Sequence, residues 1–235
     1  MAGKIILYHG SPKIIEHPSL SAAKTRNDYG PGFYCTENLP LAREWACTAE
    51  RGGFANQYRL DLTGLKVISF SQPGMHVLNW MAVLLRNRMF CPTGDWAVKA
   101  RTYLLDEFLL DFRSYDVVHG CRADDSYFSF AAAFLQDRLS LEQLIRATKP
   151  DKWNRQLVLT SEKAFRQLTF TGYDQARQSA SYAKRLARDL AVRSALQARQ
   201  KADSVPGTYL FDILREGWKN DDPRLRGNLP VRRAK

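Results

Sequence analysis

The chain has 235 residues, 45% hydrophobic and 25% charged, which suits a globular protein with one sizeable core. Its net charge of +11 favours nucleic acid, an acidic protein or an anionic surface as partner and says nothing about fold. No apolar stretch reaches the length of a membrane span or a secretory-signal core, and Cys35, Cys47, Cys91 and Cys121 form no Cys-x-x-Cys pair. A zinc site and a disulfide framework are therefore disfavoured, and four reduced, mostly buried thiols in a cytoplasmic protein are expected.

Residues 4–9 read as a short strand, β-branched at Ile5 and Ile6. Residues 11–31, with Pro12, Pro18, Gly30 and Pro31, read mostly as loop, and 32–36 (GFYCT) as a second strand. Leu41, Trp45 and one of Ala42 and Ala46 lie at helical spacing and predict a helix over 39–50. Residues 54–70 read as a hairpin turning at Thr63-Gly64, with Phe54, Tyr58, Leu60 and Leu62 on one side. An amphipathic helix is predicted over 76–90, burying Val77, Trp80, Met81, Leu84 and Leu85, and a short helix over 101–111. A strand over 115–120 ends at glycine, and 129–147 is helical, dividing near Ser140. Residues 155–160 are a strand; 161–170 opens on a serine cap and ends strand-like.

Composition shifts near residue 174. Residues 175–203 are rich in Ala and Arg, contain no Pro or Gly, and predict one long helix ended by Val205-Pro206-Gly207. A short apolar run from Tyr209 to Trp218 should dock back on the body. From residue 175 onward there are 14 Lys and Arg against 6 Asp and Glu, so most of the net charge sits there. The division expected is 1–174 for the main domain and 175–235 for a basic helical extension. Such a helix is more often a solvated face than a nucleic-acid surface.

Three strand fragments couple a polar or aromatic residue to a strand edge: His9 in LYHGS, Tyr34 in YGPGFYCT and Gln156 in NRQLVLT. In this order they resemble the His-Tyr-Glu branch of the ADP-ribosyltransferase superfamily, which includes diphtheria toxin. HGS stands at 9–11, GPGFYCT at 30–36, LAREWA at 41–46 and NRQLVLT at 154–160, with Gln156 at the place of that branch's glutamate. More closely, residues 5–170 resemble a bacterial family known as domain of unknown function 3990. The blocks Tyr115 to Asp125 and Gln156 to Phe170 add to that likeness.

The resemblance implies an α+β fold: two small antiparallel sheets in a split sandwich around an NAD cleft, ringed by helices, with the C-terminal helix an appendage. It implies an NAD-dependent mono-ADP-ribosyltransferase that needs no metal, with His9, Tyr34 and Gln156 catalytic. His9 would bond the adenosine ribose, and Gly10 would meet the nicotinamide amide through its backbone. Ser11 would bond a ribose hydroxyl, Tyr34 would stack on the nicotinamide, and Tyr29 would close over the cofactor. Gln156 can hydrogen-bond the ribose 2′-OH but supplies no negative charge. Asp124 and Asp125 are the candidates for a helping carboxylate, or else they cap the following helix. Asn154 and the absence of a first-strand arginine disfavour arginine-specific transfer. The basic extension points to a macromolecular acceptor, RNA or DNA before protein, and the family's gene context to a toxin of a toxin–antitoxin or phage-defence system, held by a small neutralising partner. The alternatives are an inactive NAD- or nucleic-acid-binding module and, further off, an RNA 2′-phosphotransferase. Read singly, His9 would be a structural histidine, Tyr34 a core aromatic and Gln156 a solvent-facing residue on an edge strand. His17, His76 and His119 receive no functional reading.

Overall fold

The computed structural model describes residues 3–23, 25–90, 94–123, 125–148, 155–201 and 207–225. In chain order the elements are β1 (Lys4–Ser11), β2 (Phe33–Cys35), α1 (Leu39–Ala46), β3 (Gly53–Asp61), β4 (Val67–Ser69), α2 (Val77–Asn87), α3 (Asp95–Phe108) and β5 (Val117–Cys121). They continue as α4 (Asp125–Leu135), α5 (Leu141–Ala147), β6 (Arg155–Leu159), α6 (Glu162–Arg166), β7 (Leu168–Ala176), α7 (Gln178–Lys201) and α8 (Leu210–Arg215). The fold is α+β. One sheet has the order β1-β3-β7 and is antiparallel; the other has the order β2-β6-β5-β4. The second sheet is not wholly antiparallel as expected, because β4 pairs with β5 in parallel.

The expected hairpin over 54–70 does not form. β3 is the central strand of its sheet, with β1 on one edge and β7 on the other. No edge remains for β4, so the chain crosses to the other sheet. The crossing is held by Leu62 and Leu65, both buried, and by the N–H groups of Asp116 and Val117, which donate to Lys66 O.

Strand alternation then sorts the core into two. Val117, Leu159 and Phe33 lie in one cross-strand row and pack with Leu7, Tyr58 and Leu60 between the sheets. The next row, Val118, Val158 and Tyr34, faces the other way, into the helical core of α2, α3 and α4. With both faces covered, β6 reads as the unbroken apolar run Leu157-Val158-Leu159. The same burial explains α2, where every residue from Val77 to Leu85 is buried rather than a single stripe. Ser140 and Ser161 cap α5 and α6 through their side-chain oxygens; the sequence marks Ser161 as a cap and Ser140 only as the point where the helical stretch divides.

Among the described residues, the C-terminal segment packs against the body rather than standing apart as an appendage. β7 runs past residue 174 to Ala176, and α7 starts two residues later and packs on α1 and α4. Arg188 of α7 pairs with Glu44 of α1, which is only 2% exposed. Arg185 donates to Cys47 O at 3.3 Å. Beyond it, Leu210, Ile213, Trp218 and Leu225 join the helical core, so the apolar run docks back as expected. Cys35, Cys47 and Cys121 are free and buried, while Cys91 lies outside the described residues. No helix of the described residues is long and apolar enough to cross a membrane.

Candidate active site

Among the described residues, the two sheets are bridged edge to edge at Tyr8 and Thr36. Tyr8 N–H donates to Thr36 O at 2.7 Å, and Thr36 N–H donates back to Tyr8 O at 2.9 Å. Continued by two residues, this antiparallel register would set Gly10 opposite Tyr34. The ladder does not continue, because the His9 imidazole takes Tyr34 O through Nδ1 at 2.7 Å. A carbonyl only accepts, so Nδ1 carries the proton and Nε2 is left as a bare acceptor. Burial holds the His9 pKa below its ordinary value, which keeps the ring neutral at pH 7. The ring is stacked on Phe33 at 4.3 Å.

Because Tyr8 N–H and C=O point toward β2, those of Gly10, two residues on, point the same way, into the gap that opens past the bridge. Strand β1 extends through Ser11, so Gly10 and Ser11 are strand residues rather than the loop that follows. The missing side chain of Gly10 serves a helix. A Cβ there would come within 2.2 Å of Ala42 O and 2.7 Å of Ala46 N in α1. Ser11 is buried, and its hydroxyl accepts from Lys13 N–H at 3.2 Å.

Tyr34 is partly buried. Its hydroxyl accepts from Tyr29 N–H at 2.9 Å and donates to Gly30 O at 2.7 Å, pinning the turn before β2. Tyr29 is packed into the helical core rather than standing over a cleft. Its hydroxyl donates to Cys121 O at 2.9 Å, and its ring lies over Gly120, where a Cβ would meet that hydroxyl at 2.0 Å.

Gln156 does not face solvent on an edge. It lies on β6, between β2 and β5, and is 2% exposed. Its Nε2 donates to Asp28 Oδ2 at 3.0 Å and to Cys121 O at 3.3 Å. Asp28 is therefore the carboxylate that the sequence reading missed. It is 6% exposed; Oδ2 also accepts from Ala123 N–H at 2.8 Å, and Oδ1 lies 3.6 Å from the Arg88 guanidinium. Burial pushes its pKa up, opposed by the Ala123 and Gln156 bonds and the charges of Arg88 and Arg122. The signal was its place in NDYGPGFY, directly before the glycine turn, where a solvated loop acid is the ordinary reading. Asp124 and Asn154 lie outside the described residues, as does the side chain of Asp125, which opens α4.

The family model described as "Protein of unknown function (DUF3990)" matches residues 5–170. The chain belongs to the DUF3990 family. No curated protein and no solved structure matches it. The DUF3990 match takes in His9, Asp28, Tyr34 and Gln156, runs from β1 into β7, and stops before α7 and α8.

Three histidines of this DUF3990 chain, His9, His76 and His119, are expected to make it acid-sensitive. His9 and His76 are held below the ordinary value by burial, and His119 is held down to about 4 by burial and the Arg155 charge. A histidine depressed in the fold takes up its proton only in the unfolded chain, so stability is full above pH 6.5 and falls as pH drops below it. The shift at His119 alone corresponds to about 3 kcal/mol lost between pH 6.5 and 4. Asp28, raised by burial, acts in the opposite sense and regains a part near the bottom of that range. Urea melts at pH 7 and pH 5 check the sign: equal midpoints would rule this out.

Proposed function

We propose that the protein is an NAD-dependent mono-ADP-ribosyltransferase acting on a macromolecule, with nucleic acid as first choice of acceptor and protein as second. The observation that carries the reading is the His9–Tyr34 contact. It ends the β1–β2 ladder, so that the Gly10 peptide is left past the bridge without a β2 partner, the neighbouring residue carries a bare imidazole acceptor, and the strand that bears Gln156 lies beside β2. An acceptor nitrogen suits a ribose hydroxyl. A free N–H and C=O on one residue suit a carboxamide such as that of nicotinamide. In the reaction the C1′–nicotinamide bond breaks, and its electron pair leaves with neutral nicotinamide. Positive charge develops on the ribose, and an acceptor oxygen or nitrogen bonds C1′ and loses its proton to water. A negatively polarised oxygen near the ribose stabilises that charge, as carboxylates do in glycoside hydrolysis.

The macromolecular acceptor is supported by the basic C-terminal segment, where Arg177, Lys184 and Arg193 are exposed. In a cell such an activity would be that of a toxin or phage-defence effector, restrained by a small partner protein. NAD would be the substrate. The uncharged Gln156 favours, as second reading, a module that binds NAD or nucleic acid without turnover.

Incubation of the full chain with labelled NAD and cell extract, followed by separation of RNA, DNA and protein, tests both. Label should enter one fraction, and His9→Ala should lower transfer about 100-fold. Calorimetric binding of NAD without transfer would select the second reading. Neither binding nor transfer, or equal transfer by His9→Ala, would end the enzyme reading.

A further inference from the structure

The geometry points to Asp28 as a positioning residue that fixes the Gln156 amide with its NH2 inward and Oε1 toward the substrate, and that supplies the negative charge missing from position 156. This rests on the transferase reading for its substrate, but not for its geometry.

The amide orientation follows from its partners. Nε2 contacts a carboxylate oxygen, Asp28 Oδ2, and a carbonyl oxygen, Cys121 O. Neither can donate, so turning the amide over would set Oε1 against two acceptor oxygens, a repulsive contact, and cost each of them the hydrogen bond from Nε2. Both N–H groups are thus spent inward, and Oε1 is what position 156 offers to a ligand. A ribose hydroxyl can donate to that oxygen as it would to a glutamate.

The clamp is itself held on several sides. Ala123 N–H binds the same Asp28 oxygen at 2.8 Å, and Arg88 stands 3.6 Å from the other. Asp28 therefore ties the turn before β2 to the end of β5, to β6 and to the end of α2. It also explains the glutamine: a glutamate at 156 would set a second anion about 3 Å from Asp28 Oδ2, where two carboxylates cannot both stay ionised. One buried negative charge is kept at the site, one amide further back. Its field, little screened in a dry interior, polarises the amide so that Oε1 becomes more negative as positive charge grows on the ribose.

Two measurements on the full chain test this. The first needs no turnover. The side-chain NH2 of Gln156 is followed by 15N–1H spectroscopy across an acid titration, in wild type and in Asp28→Asn. Besides Gln156, the charged or titratable groups facing Asp28 are Arg88, Arg122, Tyr29 and Tyr34. None of these changes charge in the acid range; His119 on β5 does and is unchanged in Asp28→Asn, so the step in the amide shift that belongs to Asp28 is the one present in wild type and absent from the variant. The second is steady-state kinetics with NAD. Asp28→Asn keeps an acceptor for Ala123 N–H and Gln156, so it should fold with an unlowered melting temperature. Its kcat should fall about 10- to 100-fold, somewhat less than for loss of a direct contact, with KM for NAD within about threefold. An amide shift without the step, or a wild-type kcat in Asp28→Asn, overturns the proposal. A lowered melting temperature with unchanged kcat would show a structural clamp only and overturns it too. Should wild type neither bind nor consume NAD, the transferase reading falls, and the amide titration alone decides the placement of Gln156.

Discussion

Gln156→Glu, the change that would set a carboxylate at position 156, is expected to destabilise the protein at neutral pH by about 3 kcal/mol, the scale for an uncompensated buried charge. The new carboxylate would lie against Asp28 Oδ2 and Cys121 O, which now accept from Nε2 at 3.0 and 3.3 Å. One of the two acids must then bind a proton, and the folded-state pKa of the pair rises. A raised carboxyl pKa costs stability only above its unfolded value. The loss is therefore absent below about pH 4, where both forms of the chain are protonated, and grows as pH rises. Adding Asp28→Asn removes one anion and should recover about half of the loss; Cys121 O would still face an oxygen. The measurement is a double-mutant cycle of urea melts at pH 7 and pH 4. Additive effects of the two changes, or a loss independent of pH, would show that the residues do not share one charge. The cycle also warns against reading Gln156→Glu as a simple gain of function.

Gly10→Ala should cost about 3 kcal/mol, near the upper end for overpacking. The added carbon would lie 2.2 Å from Ala42 O, 2.6 Å from Trp45 Cβ and 2.7 Å from Ala46 N. Two of these atoms are main chain of α1, so no rotamer change relieves the clash and the whole helix must back away from β1. At about 3 °C per kcal/mol for a chain of this size, the melting temperature should fall by about 10 °C. Thermal melts followed by circular dichroism decide it, and a shift under 2 °C would mean that α1 does not rest on Gly10. Gly64, whose nearest neighbour is the end of the Lys163 side chain at 3.9 Å, meets no such clash.

The sequence was readable where structure is decided locally. β2 and β6 are short apolar runs, Ser161 announces the helix it caps, and Ser140 marks the division between α4 and α5. The fate of 54–70 was not readable, because it depends on β7, more than a hundred residues later, filling the second edge of β3. At the site, His9 and Tyr34 stood out by their strand context, and they do meet. Asp28 did not stand out, because its partners Gln156 and Ala123 lie 128 and 95 residues away. Only the fold converts a loop acid into a buried one. The docking of α7 was hidden similarly, since a helix with so many arginines carries no broad apolar stripe, and its anchor is the pairing of Arg188 with Glu44.

The short helix α1 has a mechanical consequence. Its inner side sits on Gly10 with no room for even one methyl group, and Glu44 on the same helix grips α7 through Arg188. Close-packed interfaces have little compressibility. A load applied to α7 is therefore not absorbed between α1 and β1 but passes through as displacement of the strand that carries His9. α1 is a rigid strut between the C-terminal helix and the mouth of the gap, and whatever grips one end is felt at the other.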